Sequence, residues 1–241
     1  MKKILLTLIL LCSSTVIFGQ DEFPMPKKSD YPELPKTAAK PADFIPKDWK
    51  IMGEAEGDLN GDKKSDAVLV IKGTDPKFIT KHEGLGESPF DTNPRILAIL
   101  LWENDQYKLV QQSNSFIAMA DSPTMSEPFQ EVKITNGILQ FDFEMFLSAG
   151  GWGMSNQNYK FRYQKGKFEL IGADKTETQR NTGEMETRSY NFVTGKIKVM
   201  KGNIEGKNDK VTWKTYKSKT LQTFDTLPKP FEWEIEKDYF L

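Results

Sequence analysis

Val132-Lys133-Ile134-Thr135-Asn136-Gly137-Ile138-Leu139-Gln140-Phe141-Asp142-Phe143-Glu144-Met145 is the stretch that decides the fold class. After Gly137, the apolar residues Leu139, Phe141, Phe143 and Met145 alternate with Gln140, Asp142 and Glu144. A period of two places alternate side chains on opposite faces of a strand, so one face is apolar and the other is wet. Asn136-Gly137 is the dipeptide favoured by a two-residue hairpin turn, because both positions need positive φ. Val132 and Ile134 supply the preceding strand.

The same pattern extends outward in both directions. Tyr159, Phe161 and Tyr163 alternate with Lys160 and Arg162; Lys165-Gly166 turns the chain, and Phe168 and Leu170 return. Ile197/Val199, Val211/Trp213 and Phe231/Trp233/Ile235 repeat the alternation. Upstream, Ala67 to Ile71 and Ile96 to Trp102 are continuous apolar runs, suited to strands buried on both faces. A polar stretch from Gly73 to Pro94 separates them and reads as a long loop. No segment of a dozen residues keeps a 3.6 period. The expectation is an all-β chain of antiparallel sheets, sandwich-like or an incomplete propeller. A propeller should show a fixed repeat, and none is visible. Residues 47–241 suit a single β-rich domain, with a split near residue 200 as the alternative.

Composition limits the chemistry. The chain has 241 residues, with 33 Lys and Arg against 34 Asp and Glu, one Cys and one His. One Cys forms no disulfide framework, and this inventory builds no Cys/His zinc cage. The near-neutral balance gives no argument for nucleic acid as a partner. A catalytic His would have to be His82, which has no nucleophile near it in sequence. Residues 1–19 have the three-part layout of a secretory leader: Lys2 and Lys3, an apolar run from Ile4 to Leu11, and small Gly19 before the cut. The run is too short to span a bilayer, so no transmembrane segment is expected after leader removal. Leu11 before Cys12 does not suit a lipoprotein cut, so Cys12 leaves with the leader. The working protein is then exported, periplasmic or extracellular, and free of Cys. Residues 20–46 carry Pro24, Pro26, Pro32, Pro35, Pro41 and Pro46. That density disfavours regular helix and sheet and reads as a tether. The alternative is an ordered strap pinned by Phe23, Tyr31 and Phe44.

Asp58-Leu59-Asn60-Gly61-Asp62-Lys63-Lys64-Ser65-Asp66 is the one motif with chemistry. Oxygen side chains stand at positions 1, 3, 5 and 9, and calcium takes six to eight hard oxygen ligands. Position 12 is Leu69 rather than the bidentate Glu of an EF-hand. Position 6 is Lys63, where a left-handed turn favours Gly and a non-Gly residue costs roughly 1 kcal/mol. A strand follows, not a helix. Gly57 to Ile71 resembles the calcium loop and following strand of FG-GAP/VCBS-type repeats. The resemblance covers about 20 residues and occurs once. It implies a structural Ca²⁺ held by Asp58, Asn60, Asp62, the Lys64 carbonyl and Asp66. The alternative is a polar turn without metal, since Asp, Asn and Gly are also turn formers. More loosely, the layout resembles uncharacterised exported bacterial proteins, through Phe44-Ile45-Pro46 to Trp49, Phe161-Arg162-Tyr163 with Leu170-Ile171-Gly172, and Tyr190-Asn191-Phe192 with Thr194-Gly195-Lys196.

Two weaker features remain. Ser148-Ala149-Gly150-Gly151-Trp152-Gly153 is either a ligand-contacting loop, with Trp152 stacking on a sugar or peptide, or a wide turn with Trp152 in the core. The Lys-rich stretch 196–219 reads as a solvated strand face that also discourages edge-to-edge pairing. Together these features lead to one expectation: a non-enzymatic, calcium-stabilised binding or structural module, with a cell-envelope protein or glycan as partner. The alternative is an envelope glycan hydrolase, whose carboxylate pair no sequence feature selects.

Overall fold

Among the described residues, alternating apolar residues and Gly-containing turns produce sixteen strands, and the remaining regular structure is three short 3₁₀ turns. The computed structural model describes residues 23–206, 209–217 and 220–241. The leader and Cys12 lie outside the described residues. In chain order the strands are β1 (Thr37–Ala38), β2 (Trp49–Gly57), β3 (Asp66–Gly73), β4 (Ile79–Thr80), β5 (Phe90–Asp91), β6 (Arg95–Glu103), β7 (Gln106–Ser113) and β8 (Phe129–Thr135). They continue with β9 (Ile138–Phe146), β10 (Gly153–Gln164), β11 (Lys167–Gln179), β12 (Glu184–Asn191), β13 (Lys196–Asn203), β14 (Lys210–Thr215), β15 (Glu234–Glu236) and β16 (Tyr239–Phe240).

The strands form a five-stranded sheet of order β1-β7-β6-β3-β2 and a seven-stranded meander running from β14 back to β8. All their pairings are antiparallel. The two sheets pack face to face in a sandwich-like arrangement. Val68, Val70, Leu97, Ile99 and Leu101 of the first meet Leu139, Phe141, Phe143, Tyr159 and Phe161 of the second. Phe116, from the loop after β7, sits among these rings, with centroids 4.9 Å from Phe141, 5.5 Å from Phe161 and 5.0 Å from Phe224. At one side β2 lies against β8. Gly53 and Gly57 permit that approach, because a Cβ at Gly57 would stand 2.8 Å from Ile134 and one at Gly53 2.9 Å from Phe129.

Both expected hairpin turns form as the dipeptides require. Asn136 and Gly137 have φ of 52° and 73°, and Lys165 and Gly166 have 54° and 78°. The β10/β11 register shifts at Lys160/Phe161, so that Phe161 faces Leu170 and Lys160 faces Gly172. This bulge at Ile171 explains why the buried positions change phase from Phe168 and Leu170 to Ala173 and Lys175.

The continuous apolar run Ala67–Ile71 has both faces covered. Its other face, with Ile96, Ala98 and Leu100, packs under Leu34 and Phe44. The Pro-rich segment is therefore a strap over its described part, residues 23–46, rather than a free tether. Proline excludes it from the sheet interior but leaves its side chains free to dock. Gln112 ties it down: its Oε1 accepts from the Leu34 amide at 3.2 Å, and its Nε2 donates to the Pro32 carbonyl at 3.0 Å. Farther along, β1 adds itself to the edge of the sheet beside β7. The polar stretch 73–94 also carries structure, since β4 and β5 pair within it.

Candidate functional site

The loop 58–66 joins β2 to β3 and is wound by its own side chains. Asp58 accepts from the Gly61 amide at 2.6 Å and from the Lys63 amide at 2.8 Å. Asn60 accepts from Asp62 and Asp62 from Lys64, each at 2.9 Å. These are turns in which an Asp or Asn oxygen caps a nearby backbone N–H. Gly61 and Lys63 both hold positive φ, of 84° and 67°. The left-handed position expected at Lys63 is therefore real, and a Lys bears its cost. The loop amides, Lys63 first, hold the Asp58 carboxyl below the usual range.

Asp66 stands apart from the other four positions. It is fully buried at the start of β3. One oxygen accepts from the Leu59 amide at 2.8 Å, and the other from the Trp102 amide of β6 at 2.9 Å. Burial pushes its carboxyl up; the two amides oppose this, and the charges of Asp62 and Asp58 add to it. Asp66 thus staples the foot of the loop to the neighbouring strand. Among the described residues, no three Asp, Glu, His or Cys side chains form a group able to hold a metal ion. The all-oxygen donor set of the loop nevertheless suits calcium. A carboxylate has about four lone-pair sites, so Asp58 and Asp62 keep acceptor capacity beyond their amide bonds. Beside the loop an open depression of about 550 Å³ is lined by Asp58, Asn60, Asn136, Arg162 and Tyr163.

Trp152 is 63% exposed and does not enter the core. Its loop is held by Arg180, whose guanidinium donates to the carbonyls of Leu147 and Gly151 at 2.9 and 2.7 Å. The guanidinium centre also lies 5.9 Å from the Trp152 ring. The indole is presented on the surface, at the opposite end of β9 from the turn beside the 58–66 loop.

His82 is half-buried. Its Nε2 donates to the Glu87 carbonyl at 2.7 Å, and its Nδ1 accepts from the Gly84 amide at 3.1 Å. Both ring nitrogens are used within the 82–87 turn, which suits a structural role.

In the Lys-rich stretch, β14 is exposed along its whole length. Lys201 pairs with Glu186, and Lys214 with Glu236. One cluster carries no sequence signal. Arg188 of β12 binds Glu186 at 2.5 Å and Glu236 at 2.8 Å, and its guanidinium stacks 3.7 Å from the Tyr239 ring. Tyr190 donates to Glu236 at 2.6 Å. This network clamps the β15/β16 hairpin onto β12.

Comparison with family models, curated proteins and solved structures finds no match for this chain.

Proposed function

We propose that the chain is an exported β-module of the cell envelope, stabilised by calcium at the 58–66 loop and acting by binding or scaffolding rather than by catalysis. The observation that carries the calcium reading is electrostatic. Asp58 and Asp62 stand on a tightly wound loop, and both charges press on buried Asp66. A divalent cation among the loop oxygens would relieve that repulsion and lock the β2–β3 turn. Asp58, Asn60, Asp62 and the Lys64 carbonyl would hold it. Asp66 would contribute as the charged foot that the cation neutralises.

The inventory of reactive groups supports binding over catalysis. Among described carboxyl groups with a resolved shift, Asp66 alone is pushed up, and both its oxygens are engaged by backbone amides. Glu169, the other buried acid, is held by Gln164 and Lys167. A glycosidase acid needs a raised pKa and a free face toward substrate. The depression beside the loop, rimmed by Asn60, Asn136, Arg162 and Tyr163, is a surface on which a polar envelope ligand could sit.

Calorimetric titration with calcium and thermal melts with and without chelator test the reading. Heat of binding and a higher midpoint with calcium are expected, and both should disappear in Asp62→Asn with Asp58→Asn. An unchanged midpoint together with no heat would sink it.

A further inference from the structure

Between the strap, the loop after β7 and the segment before β15 lies a cavity of about 350 Å³. That volume falls within the range of small-molecule pockets. Its wall is largely apolar, with Ile117, Met119, Met125 and Met145 inside and Met25 at the rim. Methionine is unbranched and polarisable, so such a wall adapts to the shape of an occupant.

Arg95 is the buried charged group of this wall. Its side chain is 3% exposed. Its two terminal nitrogens grip Glu127 at 2.7 and 2.6 Å, and one of them also donates to the Ala118 carbonyl. Its Nε is buried and has no acceptor among the described residues. A buried donor of a charged group left unmatched is costly, so an occupant that supplies an acceptor is favoured. Arg95 itself lines the cavity, so an occupant lies beside this side chain.

Charge then selects the occupant. Arg95 is already balanced by Glu127. Lys229, Glu232 and Asp121 also line the cavity, and Lys229 lies 3.7 Å from Glu232. The cations Arg95 and Lys229 are thus matched by Asp121 and Glu232 of the lining and by Glu127 at Arg95, which disfavours a further anion. We infer that this cavity binds an uncharged apolar small molecule with one hydrogen-bond acceptor, such as a ketone, ester or amide oxygen, its body against the methionines and its oxygen at Arg95. This names a ligand class within the binding reading above, at a site separate from the calcium loop.

The methionines are also the reporters. Protein labelled with ¹³C at the methionine methyls is titrated with 2-heptanone, 1-heptene and heptanoate, in calcium and again in chelator. 2-Heptanone should shift Met25, Met119, Met125 and Met145 and leave Met52, Met154, Met185 and Met200 in place. Heptene, lacking the acceptor, should bind about tenfold more weakly or worse, and heptanoate should also be weaker. Met119→Trp should abolish the shifts by filling the cavity. Should it not fold, Met25→Trp at the rim, where Met25 is 48% exposed, should weaken them. Absent shifts, equal affinity for ketone and alkene, or preference for heptanoate would each overturn the inference. Shifts in chelator alongside a failed calcium titration would sink the calcium reading and leave this one standing.

Discussion

Glu236→Gln tests the clamp that holds the C-terminal hairpin. Burial alone would push the Glu236 carboxyl up. Donation from Tyr190, Lys214 and Arg188 outweighs burial and holds it down at about 2, against an ordinary 4.5. A depressed acid contributes its stability above the unfolded pKa and loses it as pH falls through the folded one. At about 1.4 kcal/mol per pH unit, the fall from 4.5 to about 2 corresponds to a ceiling of about 3 kcal/mol at neutral pH. Lys214 is 47% exposed, and solvent screens that arm of the network, so about 2 kcal/mol is the expected loss. Glutamine still accepts from Arg188 and Tyr190 through its oxygen but turns an amide donor toward Lys214. Urea denaturation of wild type and Glu236→Gln should be measured at steps from pH 7 down to pH 2. The gap between the two curves should be about 2 kcal/mol at pH 7 and narrow below pH 4.5 toward zero near pH 2. Other depressed acids, such as Glu186 and Asp174, make both proteins acid-sensitive, which is why the difference is the quantity to read. Parallel pH profiles with a constant gap would refute the assignment.

Phe116→Ala removes a ring that packs edge-on against Phe141, Phe161 and Phe224; it should cost about 3–5 kcal/mol, seen as a lower urea midpoint with an unchanged slope. A chain beginning at residue 47 lacks the strap and exposes Leu69, Ile71, Ile96 and Leu100. It should bind apolar dyes and aggregate, and a soluble, folded monomer would show that the segment is a dispensable tether after all. Asp66→Asn leaves either the Leu59 or the Trp102 amide facing an NH₂ group. It should lose about 1–3 kcal/mol even in chelator, and a melt identical to wild type would remove the staple role.

The all-β class was legible because it rests on local physics. Alternation in Leu139–Met145 and left-handed dipeptides at Asn136-Gly137 and Lys165-Gly166 each act within a few residues, and nothing distant overrides them. The strap was harder to read. Its prolines report what the backbone cannot do, whereas Leu34 and Phe44 decide where it lies, and two apolar side chains in a polar segment are a faint signal. The Arg188 clamp was invisible for another reason: its partner Glu236 is 48 residues away, and abundant Lys, Arg and Glu offer many equivalent pairings until the fold selects one. Trp152 shows the converse. A Gly-rich flank permits either a buried or an exposed indole, and Arg180, in the turn after β11, holds the loop by its carbonyls with the indole outside.

Asp58, Asn60, Asp62 and Asp66 share one nine-residue run and one spacing pattern, yet the fold divides them between two forces. Asp58, Asn60 and Asp62 answer to the loop: their partners are amides two to five residues away, Asp62 is exposed, and Asp58 and Asn60 line the open depression beside the loop. Asp66 answers to the sheet, through an amide 36 residues on in β6. An ion binding only the first three would pin the turn, while Asp66 would keep the turn attached to the core whether or not the ion were present. Stability in chelator and the calcium-dependent increment are therefore separable quantities. Substitutions at Asp58 and Asp62 should remove the increment and spare the baseline, whereas substitution of Asp66 should lower the baseline first. Spacing alone cannot assign these roles, because it records which residues carry oxygen but not which amides the folded chain brings to them.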